Sequence, residues 1–72
     1  MSQATQSSVE AAREALVGHA WEEARDLFHE ADQAGPLSPA DLERLADAEW
    51  WSGHPDERDD AFERAYAGHL EA

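Results

Sequence analysis

Cysteine, lysine and isoleucine are all missing from these 72 residues. Without thiols the chain can form neither a disulfide nor a thiolate metal site. Large apolar side chains are scarce: six Leu, two Val, three Trp, two Phe, one Tyr and one Met, so 15 of the 30 hydrophobic residues are Ala. That is too little bulk to wall a deep pocket, which argues against an independent enzyme. Positive charge is scarce as well. Five Arg face 17 acidic residues, for a net charge of −12, a surface that repels a phosphate backbone, so no nucleic-acid partner is expected. No apolar run approaches the roughly 20 residues that span a bilayer, and Met1-Ser2-Gln3-Ala4-Thr5 lacks a signal-peptide core. No membrane association is expected, and the expected location is cytoplasmic. Leu, Val and Phe together make only 10 of 72 residues, which with this charge is a disorder-prone composition.

The pattern points the other way. Apolar residues recur at helical spacing in four stretches bounded by punctuation. The first opens at Ser7-Ser8-Val9-Glu10, which fits a capping box, and carries Ala11, Ala12, Ala15, Leu16 and Val17 up to Gly18-His19. The second carries Trp21, Ala24, Leu27, Phe28 and Ala31 on one face, and Gly35-Pro36 closes it, with Gly35 expected in the left-handed cap position. The third has Ser38 as N-cap, Pro39 at the first helical position and Asp41 at the third, then Leu42, Leu45, Ala46, Trp50 and Trp51 before Gly53. The fourth starts near His54-Pro55 under Asp56, Glu57, Asp59 and Asp60, and its stripe is Ala61, Phe62, Ala65, Tyr66 and Leu70. The short links Gly18-His19 and Gly53-His54 predict two antiparallel helical hairpins. The expected fold is therefore all-α, one domain: a flexible N-terminus over residues 1–6, hairpin 1 over 7–35 and hairpin 2 over 36–72. The expected core is Leu16, Trp21, Ala24, Leu27, Phe28, Ala31, Leu42, Leu45, Phe62, Ala65 and Tyr66.

An internal repeat supports this division. Phe28 and Phe62 are 34 residues apart, as are Ala31 and Ala65, while Gly18-His19 and Gly53-His54 match at 35. Trp21, Ala24, Phe28 and Ala31, with Leu45, Ala46, Gly53, Phe62 and Ala65 in the second unit, resemble the tetratricopeptide repeat. Pro55 and Arg58 depart from that family's aromatic and Ala. Trp50-Trp51-Ser52-Gly53 with Ala61-Phe62-Glu63-Arg64-Ala65-Tyr66 also resembles the degenerate helical repeats found beside LuxR-type regulators and cyclases of high-GC bacteria. The resemblance implies two stacked helical hairpins and a non-enzymatic interaction or self-association segment of a signalling or transcription-regulating protein. Such a stack usually needs three or more units. The chain is therefore expected to be part of a longer protein, or to have its exposed end covered by a second copy or a partner.

In the repeat family the first helix of each unit lines the binding face, which here implies Glu43, Asp47, Trp50 and Trp51 as partner-binding residues. Acids beside indoles would suit a basic, partly apolar segment of another protein, or a second copy of the chain. Two further readings belong to other classes: a small-molecule or metal-responsive sensor, and an acidic inhibitor of a basic protein, with a DNA mimic as its extreme form. Glu22, Asp26 and His29 share one helical face, as metal-binding groups would, but no H-x-x-x-H pair exists, and neither metal nor cofactor is expected. Nor is there a nucleophile elbow or a phosphate-binding loop. Glu10–Arg13, Asp41–Arg44 and Asp60–Arg64 are expected as intrahelical ion pairs.

Overall fold

A computed structural model of the chain describes the backbone of residues 2–71 and the side chains of residues 8–70. Four helices follow one another: α1 (Ser2–Val17), α2 (Trp21–Ala34), α3 (Pro39–Trp51) and α4 (Pro55–Glu71). Among the described residues there is no strand. α1 packs on α2 and α3 on α4, and α3 also rests against both helices of the first hairpin. The Cα radius of gyration is 11.2 Å, the value expected of a packed chain of this length and far below the about 26 Å of an unfolded one. Patterning thus prevails over the disorder-prone composition.

The helix ends show why the chain turns where it does. Ser38 Oγ accepts the Asp41 N–H at 3.2 Å, and Pro39 sits at the start of α3, where its missing N–H costs nothing. The turns after α1 and α3 are Schellman motifs. In the first, the Ala20 N–H donates to Ala15 O (2.9 Å) and the His19 N–H to Leu16 O (3.0 Å). In the second, His54 donates to Glu49 O (2.7 Å) and Gly53 to Trp50 O (3.2 Å). Every partner in one turn lies 34 residues from its counterpart in the other. The left-handed position is His19 (φ 62°) in the first and Gly53 (φ 90°) in the second. The turns therefore match at 34 rather than 35, with His19 standing where Gly18 was expected to act.

Two helix boundaries differ from the sequence reading. α1 begins at Ser2, so residues 2–6 belong to the helix, and Ser7 lies inside it rather than at its N-cap. The side-chain half of the expected capping box lies outside the described residues. Gly35 is extended (φ −179°) instead of left-handed, because Pro36 disfavours helical geometry in the residue before it. The Gly35 N–H still donates to Ala31 O at 3.1 Å.

The core is built largely from alanine. Ala12, Ala24, Ala31, Ala46, Ala48, Ala61 and Ala65 are buried together with Phe28, Leu37, Leu42 and Leu45. Small side chains let the helices approach closely, so one Phe and three Leu suffice to fill the seam. Gly68 marks one such close approach, between α4 and the start of α3: a Cβ there would lie 2.7 Å from Pro39 Cγ. Leu16 and Leu27 pack against the core while partly exposed, and Trp21 is half-buried. Phe62 and Tyr66 are not core residues, being 41% and 67% exposed. They lie on a side of α4 that none of the described helices covers, which helical periodicity alone does not reveal.

Cross-helix ion pairs tie the elements together. Asp41 is buried, and its carboxylate accepts from Arg13 Nε and Nη2 (2.9 and 2.7 Å), Arg44 Nη1 (2.9 Å) and Ser38 Oγ (3.1 Å). Burial works to raise this carboxyl, but the donors outweigh it and hold it below the usual carboxylate range. Arg64 of α4 reaches Asp32 of α2 through two 2.9 Å hydrogen bonds, which hold Asp32 below its ordinary value. The Asp41–Arg44 pair is present as expected. Arg13 and Arg64, expected to pair with Glu10 and Asp60, instead bridge to other helices.

Candidate functional site

Glu43, Asp47 and Trp50 are four and three residues apart on α3, and all three are exposed on one face. Trp51 leaves that face. Adjacent helical residues point about 100° apart, and this offset turns Trp51 toward hairpin 1, where it stacks on Trp21 at 5.7 Å between ring centroids. Trp21 in turn stacks on His19 at 5.0 Å. The four expected partner-binding residues therefore do not form one surface. Trp51, though 61% exposed, belongs to a ladder of rings beside the first turn.

The face that keeps Trp50 is completed from α4. The Arg58 guanidinium lies 4.5 Å above the Trp50 ring and 5.8 Å from that of Phe62, while its Nη2 donates to Asp59 Oδ1 at 2.8 Å. Beyond Phe62, a groove of about 250 Å³ is lined by Glu43, Phe62, Ala65, Tyr66 and His69. His69 Nε2 lies 3.0 Å from Glu43 Oε2 and spans α3 and α4 at one edge. The result is an aromatic strip, Trp50–Phe62–Tyr66, bordered by acids and crossed by one guanidinium.

The 34-residue shift shows what such a groove holds elsewhere in the molecule. Glu43, Phe62, Ala65 and Tyr66 correspond to Val9, Phe28, Ala31 and Asp32 of hairpin 1. There α3 packs onto the hairpin, Phe28 and Ala31 are fully buried, and Val9 packs against the core. The groove of hairpin 2 thus lies at sequence positions whose counterparts Phe28 and Ala31 are buried in hairpin 1.

A second constellation sits at the seam between the hairpins. His29 shares a face of α2 with Glu22 and Asp26 by helical spacing, yet the acids its ring meets come from other helices. Its Nε2 lies 3.2 Å from Glu49 Oε2 on α3 and 3.9 Å from Glu57 Oε2 on α4. Arg25 donates to Glu57 Oε2 from Nη2 and Nε at 2.9 and 3.2 Å, and to Asp26 at 3.3 Å. Glu49 is only 1% exposed, and its Oε1 is buried with no hydrogen-bond partner. Burial, then the neighbouring Glu57 carboxylate, pushes Glu49 up to about 7. Glu57 is held below its ordinary value by Arg25 first, and then by its interaction with Glu49. Sequence reasoning did not single out Glu49, although a signal existed: it falls on the buried stripe Leu42-Leu45-Ala46-Glu49 and aligns with Ala15 of hairpin 1.

Comparison with protein-family models, with curated proteins and with solved structures finds no match to this chain. Among the described residues, no helix is long and apolar enough to cross a membrane.

Proposed function

We propose that this chain is a non-enzymatic, tetratricopeptide-like interaction domain of a bacterial signalling or regulatory protein, working in the cytoplasm. Its outer α3/α4 face receives an amphipathic helix of basic character from a partner protein. The observation that carries this reading is the exposed groove at Phe62, whose counterpart Phe28 is fully buried in the hairpin that α3 packs against. Charge selects the kind of helix. A second copy would bring another −12 against Glu43 and Asp47, whereas Arg or Lys side chains would meet these acids favourably. Arg58 already shows a guanidinium lying on Trp50, an arrangement worth about 0.5–2 kcal/mol depending on solvent exposure. The exposed aromatic strip is the central anchor, and the acids set orientation and association rate.

The test titrates the protein with two amphipathic helical peptides that share an apolar face, one edged with Arg and one with Glu, reading Trp fluorescence at low and high salt. The Arg-edged peptide should bind more tightly and lose affinity as salt rises. Phe62→Asp, at an exposed position, should abolish binding while leaving the melting curve nearly unchanged. Equal binding of both peptides, or binding indifferent to Phe62→Asp, overturns the reading. Concentration-dependent dimerisation that Phe62→Asp removes would assign the face to a second copy instead.

A further inference from the structure

We infer that His29, Glu49 and Glu57 form a binding site for one divalent transition-metal ion of the zinc class, at the seam where α2, α3 and α4 meet. The site lies apart from the α3/α4 groove and does not depend on the function proposed for it. One ligand atom from each of the three residues falls within 4.8 Å of the other two. The His29 nitrogen lies 3.2 and 3.9 Å from the two carboxylate oxygens. A tetrahedral ion with bonds of 2.0–2.2 Å holds its ligands about 3.3 Å apart. His29 and Glu49 already stand at that spacing, at 3.2 Å. Glu57, 3.9 Å from His29 and within 4.8 Å of both ligand atoms, is the group that must close in, by a side-chain rotation on its exposed helix face.

The buried acid supplies the independent argument. A carboxylate almost wholly removed from water is costly unless something neutralises it and occupies its lone pairs. Glu49 Oε1 has no donor, and Glu49 lines a cavity of about 260 Å³ together with His29 and Glu57. Hairpin 1 places Ala15 at the equivalent position, so packing does not require an acid here. Opposing charge is already engaged: Arg64, at the cavity wall, is held by Asp32, and Arg25 binds Glu57 and Asp26. Asp56 and Asp60 add further negative charge to the lining.

The donor set decides the class of ion. One imidazole and two carboxylates match the nitrogen–oxygen preference of Zn²⁺ or Co²⁺, whereas Ca²⁺ requires six to eight oxygens. The cavity side of the cluster leaves room for water to complete the coordination. Because the ligands come from three helices, the ion would fasten hairpin 1 to hairpin 2 and stabilise the folded state by mass action.

The test uses the chelator-stripped, full 72-residue protein. Calorimetric titration with Zn²⁺ should give one ion per chain, the melting temperature should rise with Zn²⁺, and Co²⁺ should develop the visible absorption of a tetrahedral site. Equimolar Mg²⁺ or Ca²⁺ should do none of this. Glu49→Gln keeps the side-chain volume and His29→Ala removes a half-exposed ring, so both variants should fold; each should weaken Zn²⁺ binding by at least about tenfold. Glu22→Gln, remote from the cluster, should bind as the parent does. Absence of a stoichiometric heat and of any thermal shift overturns the proposal, as does equal Zn²⁺ binding by parent, Glu49→Gln and His29→Ala, which would mark adventitious capture by surface acids.

Discussion

Phe28 and Phe62 occupy the same place in their hairpins, 34 residues apart, yet the first is fully buried and the second is 41% exposed. The turn hydrogen bonds that precede them also repeat at 34. The difference lies in what packs alongside: hairpin 1 has α3 against it, whereas among the described residues α4 packs on α3 alone. A hairpin of this kind cannot bury both of its faces alone, and its stability depends on its neighbour.

Truncating both rings puts the largest strain on this comparison. Phe28→Ala should cost about 3–5 kcal/mol, enough to unfold a domain whose remaining core is mainly alanine. Phe62→Ala should cost under about 1 kcal/mol, because its ring already borders water. Urea denaturation followed by circular dichroism measures both. Similar losses would mean that the Phe62 groove is closed in solution, by self-association or by movement of α4.

The hairpin pattern was legible because local rules agree along the chain. Ser38-Pro39-Ala40-Asp41 announces a helix start, and Gly53-His54-Pro55 announces a turn, through backbone chemistry that needs no tertiary context. Ala24, Phe28, Ala31, Leu42 and Leu45 share stripes whose spacing alone turns them inward. Phe62 and Tyr66 satisfy the same spacing but lie on the uncovered side of α4. A stripe identifies an apolar face without showing whether anything rests on it. The Trp50–Trp51 pair separated for the reason helical geometry dictates, the 100° step that sends adjacent residues to different neighbours. Gly35 failed as a left-handed cap because Pro36 controls the residue before it. Glu49 was hardest to read, since its meaning lies in partners 20 and 8 residues away, His29 and Glu57.

Glu49 supplies the next contrast, since its counterpart Ala15 does not titrate. In chelator, the groups facing Glu49 are His29 and Arg25 from α2, and Glu57, Asp60 and Arg64 from α4. The Glu49 carboxyl is raised from 4.5 to about 7, so between those values the folded state holds a proton that the unfolded state has released. Stability should fall as pH rises through that window, by up to about 3 kcal/mol. Asp41 and Asp32 run the other way. Their folded values lie below 3.8, so their contribution is present above that pH and is lost as acid protonates them. Stability should thus peak near about pH 4–5. Glu49→Gln should flatten the limb above pH 4.5 and leave the acid limb intact. An unchanged upper limb in that variant would place the titration elsewhere.

The smallest expected effect comes from the two turns, and it tests whether they are equivalent. Gly53 takes φ 90° without a side chain to obstruct it, while His19 takes φ 62° with one. A left-handed conformation costs an L-residue roughly 1 kcal/mol relative to glycine, so Gly53→Ala should lower stability by about that amount. His19→Gly should raise stability by less, because it removes the left-handed strain but also the stacking on Trp21 at 5.0 Å and frees the unfolded chain. Chemical denaturation of the two variants resolves the signs. If His19→Gly proves destabilising, the ladder of His19, Trp21 and Trp51 outweighs the backbone strain. The first turn would then be held by its rings, where the second is held by its glycine.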